Sequence, residues 1–206
     1  MVKQERAART RETLIRSAAE IIDREGFAVA SLTAISSLAG VSNGALHFHF
    51  ASKAALADAV EGAALSRLFA VTGAALPPGA SRVQLLVDAT HGLARALRGD
   101  VVLRAGFELS VEAARPAQTD LSRCWKRWVE DVLDRAAAEG ELHPAVDAQD
   151  GAAAVVAATV GFEVLGARDA VWLSAATVTR FWRLLLPTLV RPGLLGELRA
   201  EGTAGP

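Results

Sequence analysis

The run Thr33-Ala34-Ile35-Ser36-Ser37-Leu38-Ala39-Gly40-Val41-Ser42-Asn43-Gly44-Ala45-Leu46-His47-Phe48-His49-Phe50 mixes side chains that can hydrogen-bond another molecule with side chains that can only pack. An Asn amide such as that of Asn43 can read a base edge, and the imidazoles of His47 and His49 can donate to a phosphate oxygen. The short residues Ser42 and Gly44 leave backbone N–H groups open to a phosphate. His47-x-His49 also has the chemistry of a metal pair. No third His, Cys or carboxylate stands at ligand spacing, so neither a metal nor any other cofactor is expected. Catalytic patterns are missing. The sequence has no G-x-S-x-G elbow, no Gly-rich phosphate loop and no paired Glu-x-x-His of the kind a di-iron bundle needs, which leaves a helical-bundle enzyme as a remote alternative.

The elements that must position these residues are helices. Leu14, Ile15, Ala18, Ala19, Ile21 and Ile22 form an apolar stripe, Gly26 supplies a left-handed stop, and Phe27 is placed to fold back on the stripe. Ser31 or Thr33 can cap a short second helix carrying Ile35 and Leu38 and ending at Gly40. Ser42 can cap a third that reaches about His49, with Ala39, Val41 and Leu46 at the crossing. Two short helices joined by a tight Gly turn are the helix-turn-helix layout, whose second helix would project Ser42, Asn43, Gly44, His47 and His49 outward. Two packed helices with no further role would show the same pattern. Ser52 caps a long fourth helix through Leu56, Val60, Leu65 and Leu68 toward a break at Pro77-Pro78-Gly79. Further helices are expected at about 81–98, 100–114, 117–139, 148–166 and 172–190, separated at Gly99-Asp100, Arg115-Pro116, Gly140 to Pro144 and Gly166 to Asp169. No stretch alternates long enough for a strand, so the fold expected is all-α.

The section from about Thr10 to Leu56, with Gly26-Phe27, Thr33-Ala34-Ile35, Ala39-Gly40-Val41-Ser42, Gly44-Ala45-Leu46, His49-Phe50 and Ser52-Lys53, resembles the TetR family DNA-binding domain. The resemblance implies DNA contacts by Ser31 and Thr33, by Ser42, Asn43, Gly44, His47 and His49, and by Lys53. His47 departs from the family, most members of which have Tyr there, although an imidazole can also donate. A second likeness covers most of the chain. Phe48-His49-Phe50-Ala51-Ser52-Lys53, Val102-Leu103-Arg104-Ala105-Gly106, and Trp125 followed by Gly140-Glu141-Leu142-His143 look like the γ-butyrolactone receptor branch, including its antibiotic-responsive pseudo-receptors. That likeness implies a ligand cavity beside Trp125. Phe107, Phe162, Leu86 and Thr159, each on the inward face of a flanking helix, are its expected neighbours. Trp125 and Trp128 also lie on one face with Leu121, Val129, Val132, Leu133 and Ala136, which on pattern alone is ordinary core.

Composition sets the outer limits. The chain has 206 residues, 51% of them apolar, enough for a core and for two modules. Its single cysteine, Cys124, excludes an internal disulfide and favours a plain buried thiol over a redox sensor. Residues 1–53 hold seven Lys/Arg against five Asp/Glu, five of the positive charges falling at Lys3, Arg6, Arg9, Arg11 and Arg16, so a basic arm leads into the first helix. A solvated helix face would have the same charges. His91 and His143 stand singly, His91 being expected as a satisfied core or boundary histidine rather than a polar anchor in the cavity, while Glu108 and Glu163 are expected to meet an arginine. The N-terminus has no apolar signal region, and charges interrupt the apolar stretches before membrane-spanning length, so a cytoplasmic protein with no membrane partner is expected. The combined expectation is a DNA-binding domain at 1–53 and a helical ligand-binding and dimerisation domain at 54–206. The protein would be a homodimeric repressor, paired through its last two long helices and released from operator DNA by a small-molecule effector. A constitutive regulator without a ligand is the alternative.

Overall fold

The structure is a computed structural model that describes residues 2–73, 77, 79–112 and 117–203, without the side chains of Val2 and Lys3. Its helices are α1 (Val2–Glu25), α2 (Leu32–Leu38), α3 (Asn43–His49), α4 (Lys53–Thr72), α5 (Arg82–Gly99), α6 (Val101–Ser110), α7 (Leu121–Ala138), α8 (Ala148–Gly166), α9 (Ala175–Leu189) and α10 (Pro192–Leu195). A 3₁₀ turn, Ala170–Leu173, precedes α9. Among the described residues the only β-pairing is one isolated bridge, Leu142 to Val190, and the all-α expectation holds. Pro78, the Arg115-Pro116 separator and the Lys3 side chain of the basic arm lie outside the described residues.

Contacts divide the chain into two compact units, Met1–Phe69 with Asp100–Ser122, and Ala70–Gly99 with Arg123–Pro206. Their boundaries fall inside α4 and α7, so each of these helices belongs to both. In the first unit the α1 stripe is buried from Leu14 to Ile22, each fully enclosed Leu or Ile contributing about 1.5–3 kcal/mol. Gly26, at φ +82°, stops α1 where its N–H reaches Ile22 O at 2.8 Å. Arg104 of α6 grips Asp23 of α1 through two bonds of 2.8 Å, and that hydrogen bond holds the guanidinium pKa above its ordinary value. Glu61 of α4 is fully buried and accepts from the N–H of Gln118 at 3.0 Å.

In the second unit Glu141 reaches across to the start of α5, accepting from Ser81 Oγ at 2.7 Å and from the N–H groups of Arg82 and Val83 at 2.8 and 3.0 Å. A carboxylate thereby satisfies the orphan donors of a helix it does not belong to. Two tryptophans are buried with their N–H groups bonded to threonines. Trp125 donates to Thr159 Oγ1 at 2.9 Å and Trp182 to Thr90 Oγ1 at 2.6 Å. His91 is satisfied as expected, its Nε2 donating to the Ala200 carbonyl at 2.9 Å.

Several expectations need correcting. Leu38, at the very end of α2, is 46% exposed, while Ile35 one turn earlier is buried. The helix expected at 117–139 begins only at Leu121, where Ser110 Oγ accepts its N–H at 2.9 Å, and the one expected at 100–114 ends at Ser110. The one expected at 172–190 is broken by Ser174, whose hydroxyl caps α9. Glu163 meets no arginine among the described residues, and burial pushes its carboxyl pKa up. Helix α8 is long and apolar enough to cross a membrane by length and composition, but Asp150 and Glu163 interrupt its apolar run, as the length argument above requires.

Gly106 of α6 marks the tightest approach in the first unit. A Cβ there would collide with Ala64 Cβ of α4 and stand 3.1 Å from Leu121 Cδ2. Gly106→Ala is therefore expected to destabilise the protein by about 1–3 kcal/mol, read as a lower denaturation midpoint with unchanged slope. An unchanged midpoint would mean that α4 and α6 separate without cost.

Candidate functional site

Helices α2 and α3 have seven residues each, too short to persist alone, and their ends are held by side chains. Ser31 Oγ accepts from Ala34 N–H and Ser42 Oγ from Ala45 N–H, both at 3.1 Å. Each hydroxyl uses a lone pair in its cap and keeps its proton for an outside acceptor. Thr33 does not cap α2 and lies exposed in its first turn. Gly40, at φ +67°, turns the chain between the helices, with Val41 N–H on Ser36 O at 3.0 Å. Ile35, Leu46 and Phe50 are buried beneath, so α3 is anchored at Leu46 and Phe50 and presents its other side outward.

That outer side carries Ser42, Asn43, Gly44 and His47, all exposed, with His49 half-buried at its edge. Asn43 is partly tethered, since Ser36 Oγ lies 2.7 Å from its Oδ1 and 3.0 Å from the Thr33 carbonyl. One hydroxyl proton serves one of these at a time, and Asn43 keeps both amide protons and a second lone pair for a base edge. Lys53 is placed differently from the others. Its Nζ donates to the Ala28 carbonyl at 3.0 Å and sits 4.5 Å from the centre of the Phe27 ring, leaving two protons of the ammonium for a phosphate. Phe27 thus meets Lys53.

Phe48 was not singled out from the sequence, yet it is 82% exposed and meets His49 edge-on at 5.2 Å. Helical period does contain the signal. Leu46 and Phe50 share a face at i, i+4, which puts position 48 on the opposite side. Gly44 makes no demand that the protein itself explains, because a Cβ there would meet only Ser42 Oγ at 3.9 Å. A glycine inside a helix costs about 1 kcal/mol relative to alanine.

The residues expected around a ligand divide between the units. Trp125, Thr159, Leu86 and Phe162 belong to the second and Phe107 to the first. Trp125 is 2% exposed and stacks on Trp128 with ring centres 5.3 Å apart. Thr159, which accepts its N–H, lies within hydrogen-bond distance of the Val155 and Val156 carbonyls at 2.9 and 3.0 Å, so every polar group here is satisfied within the protein. Leu86 is fully buried on α5, and Phe162 meets Phe181 edge-on at 5.8 Å. Two cavities of this unit lie elsewhere. A cavity of about 640 Å³ is bounded by Ser81, Arg82, Glu139, Glu141, Arg191 and Glu197, and another of about 420 Å³ by residues of α5, the 3₁₀ turn and α9. None of the five expected ligand residues lines either one.

Residues 14–60 match the profile of bacterial regulatory proteins of the tetR family. The chain is 31% identical over 207 residues to the A-factor receptor protein of Streptomyces griseus, covering 98% of this chain and 71% of that protein. Among solved structures it resembles a γ-butyrolactone receptor described as ArpA-like, at TM-score 0.78 and 27% identity, covering 93% of each chain. It also resembles CprB of Streptomyces coelicolor, solved with its biological operator sequence, at TM-score 0.77 and 29% identity, covering 93% of this chain and 94% of that one.

If α3 faces DNA as its exposure suggests, Asn43→Ala weakens operator binding by about 1–3 kcal/mol, the value of one bidentate base contact. Lys53→Ala is expected to lower both DNA affinity and melting temperature, because it removes the Ala28 and Phe27 contacts together with any phosphate contact. Mobility-shift titrations paired with thermal melts separate the two effects. Full affinity in a folded Asn43→Ala protein would remove that residue from the interface.

Proposed function

Because the chain belongs to the TetR family of bacterial regulatory proteins, which are transcriptional regulators and not enzymes, we propose that it is a cytoplasmic homodimeric repressor released from its operator by a small-molecule effector. The observation that carries the DNA-binding side is the outer face of α3. It is polar, anchored from beneath by Leu46 and Phe50, and contains a glycine that no internal contact requires. Close approach of a DNA backbone accounts for that glycine. In this reading Ser31, Thr33, Ser42, Asn43, Gly44, His47, His49 and Lys53 contact DNA, and Phe48 adds an apolar surface suited to a thymine methyl.

Dimerisation follows from what α8 and α9 leave exposed. Val155, Val178 and Trp182 are buried within one chain, whereas Val160, Val164 and Leu165 of α8 and Leu184 of α9 are 40–81% exposed. An apolar face of this kind suits a symmetry mate, and the same pairing explains a helix as apolar as α8 without a membrane. Two copies present two α3 helices to half-sites about 34–36 Å apart or a multiple of it, so a small change in their spacing breaks simultaneous docking. The functional division stays at 1–53 for DNA and 54–206 for ligand and dimer. Helix α4, whose residues fall in both compact units, is the element we take to relay ligand binding to the DNA-binding residues.

The effector proposed is a γ-butyrolactone-like or antibiotic-like metabolite, supported by the names of the similar receptors. The site we propose for it is at Trp125 with Thr159, Leu86 and Phe162, all of the second unit. Since Trp125 is closed over by its own bonds, the ligand must favour a packing in which the indole opens, and it shifts the protein only by its preference for that packing.

Two measurements test these readings. Val160→Glu combined with Leu184→Glu is expected to turn a dimer into a folded monomer in sedimentation runs at micromolar concentration; a dimer that survives both charges places the interface elsewhere. Trp125→Ala is expected to keep operator binding and to abolish release by a γ-butyrolactone that frees the wild-type protein. Release at the same concentration would make Trp125 a packing residue. Failure of every lactone and antibiotic tried on the wild type would favour a constitutive regulator.

A further inference from the structure

The two cavities of the second unit differ in how their charges are balanced. In the larger one Arg82 faces Glu139 at 2.7 Å and Glu141 accepts from the start of α5, and the walls carry both signs of charge, with Arg191 and Glu197 as well. In the smaller one, of about 420 Å³, the walls are His91, Ala94, Arg95 and Arg98 of α5 with Leu173 and Ala175 opposite, and no acid is among the lining residues.

Arg95 and Arg98 stand three residues apart, on the same side of α5 as His91 and Ala94. Neither guanidinium has a hydrogen bond or ion pair among the described residues. The acid of α5 and the one that opens the 3₁₀ turn are committed elsewhere. Asp88, the one acid of α5, accepts from the N–H of Thr203 at 2.7 Å and from Gln84 Nε2 at 3.1 Å, and Asp169 caps the 3₁₀ turn through Val171 N–H at 3.0 Å. His91 adds no negative charge, since its Nε2 must carry the proton donated to Ala200 O. Two like charges at this spacing repel on the helix surface, and the C-terminal end of α5 accounts for only one of them, Arg98 in its last turn.

We propose that this cavity is a binding site for a small organic carboxylate with an apolar body, held by Arg95 and Arg98. A guanidinium presents a planar fork that matches a carboxylate and fixes its direction. Ala94, Leu173 and Ala175 supply the apolar wall along which the rest of the molecule lies. The volume is within the range of small-molecule sites, about 300–1,000 Å³. This site goes beyond the effector reading above and shares no residue with the Trp125 region, so either can fail without the other.

Sodium octanoate serves as the anionic probe and 1-octanol as its neutral counterpart, each titrated calorimetrically into the full-length protein. Octanoate is expected to bind at one site per chain, more weakly as salt is raised, with at least tenfold lower affinity in Arg95→Gln/Arg98→Gln and little change in Trp125→Ala. Octanol is expected to show no binding at that site. Both arginines are exposed and unpartnered, so the double variant should keep its helical circular dichroism. Ala175→Leu, which narrows the cavity without touching either charge, should weaken octanoate as well and covers the case of a misfolded double variant. No octanoate binding to the wild type, equal binding to the double variant, or equal binding of octanol would overturn the proposal.

Discussion

Two helices of seven residues carry the surface proposed to face the operator, and neither contains enough backbone hydrogen bonds to exist without support. Everything that makes α2 and α3 rigid lies beneath or at their ends. Ser31 and Ser42 satisfy the first N–H groups, Gly40 permits the turn between them, and Ile35, Leu46 and Phe50 pin the inner faces. The α1 stripe is the floor of this arrangement, and the Asp23–Arg104 fork ties that floor to α6. A recognition surface of such short elements is only as well defined as the core below it.

The same economy governs Lys53. Its ammonium bonds the turn after α1 and covers the Phe27 ring, so one cation both stabilises the domain and remains available to a phosphate. Substitutions at such a position change fold and affinity together, whereas Asn43, tethered only through Ser36, separates the two more cleanly.

In the second unit the tryptophans show how little an apolar stripe says about occupancy. Trp125 and Trp182 each end on a threonine hydroxyl that lies within hydrogen-bond distance of its own helix backbone, a fully satisfied chain inside the core. A wall of a ligand cavity and a plain packing residue look alike while the indole is in place. The difference between them is a second packing of similar energy, a property of the ensemble.

Local chemistry determined much of this protein in advance. The stop at Gly26, the cap at Ser42, the α1 stripe and the breaks near Gly99 and Gly140 follow from backbone sterics and from hydrogen-bond needs within a few residues, and all are legible along the chain. The helix-turn-helix surface was legible for the same reason, apart from Phe48, whose period was present and whose apolar type pointed inward. Partners distant in sequence were not legible. Glu141 capping α5, Arg104 finding Asp23, Lys53 finding Ala28, and two arginines left without an acid depend on which elements meet. Helix α8 shows the boundary between the two kinds of knowledge. Its composition alone fits a membrane span or a core, and only the tertiary structure separates its buried Val155 and Phe162 from the exposed Val160 and Val164, because burial is a relation between elements and composition belongs to one of them.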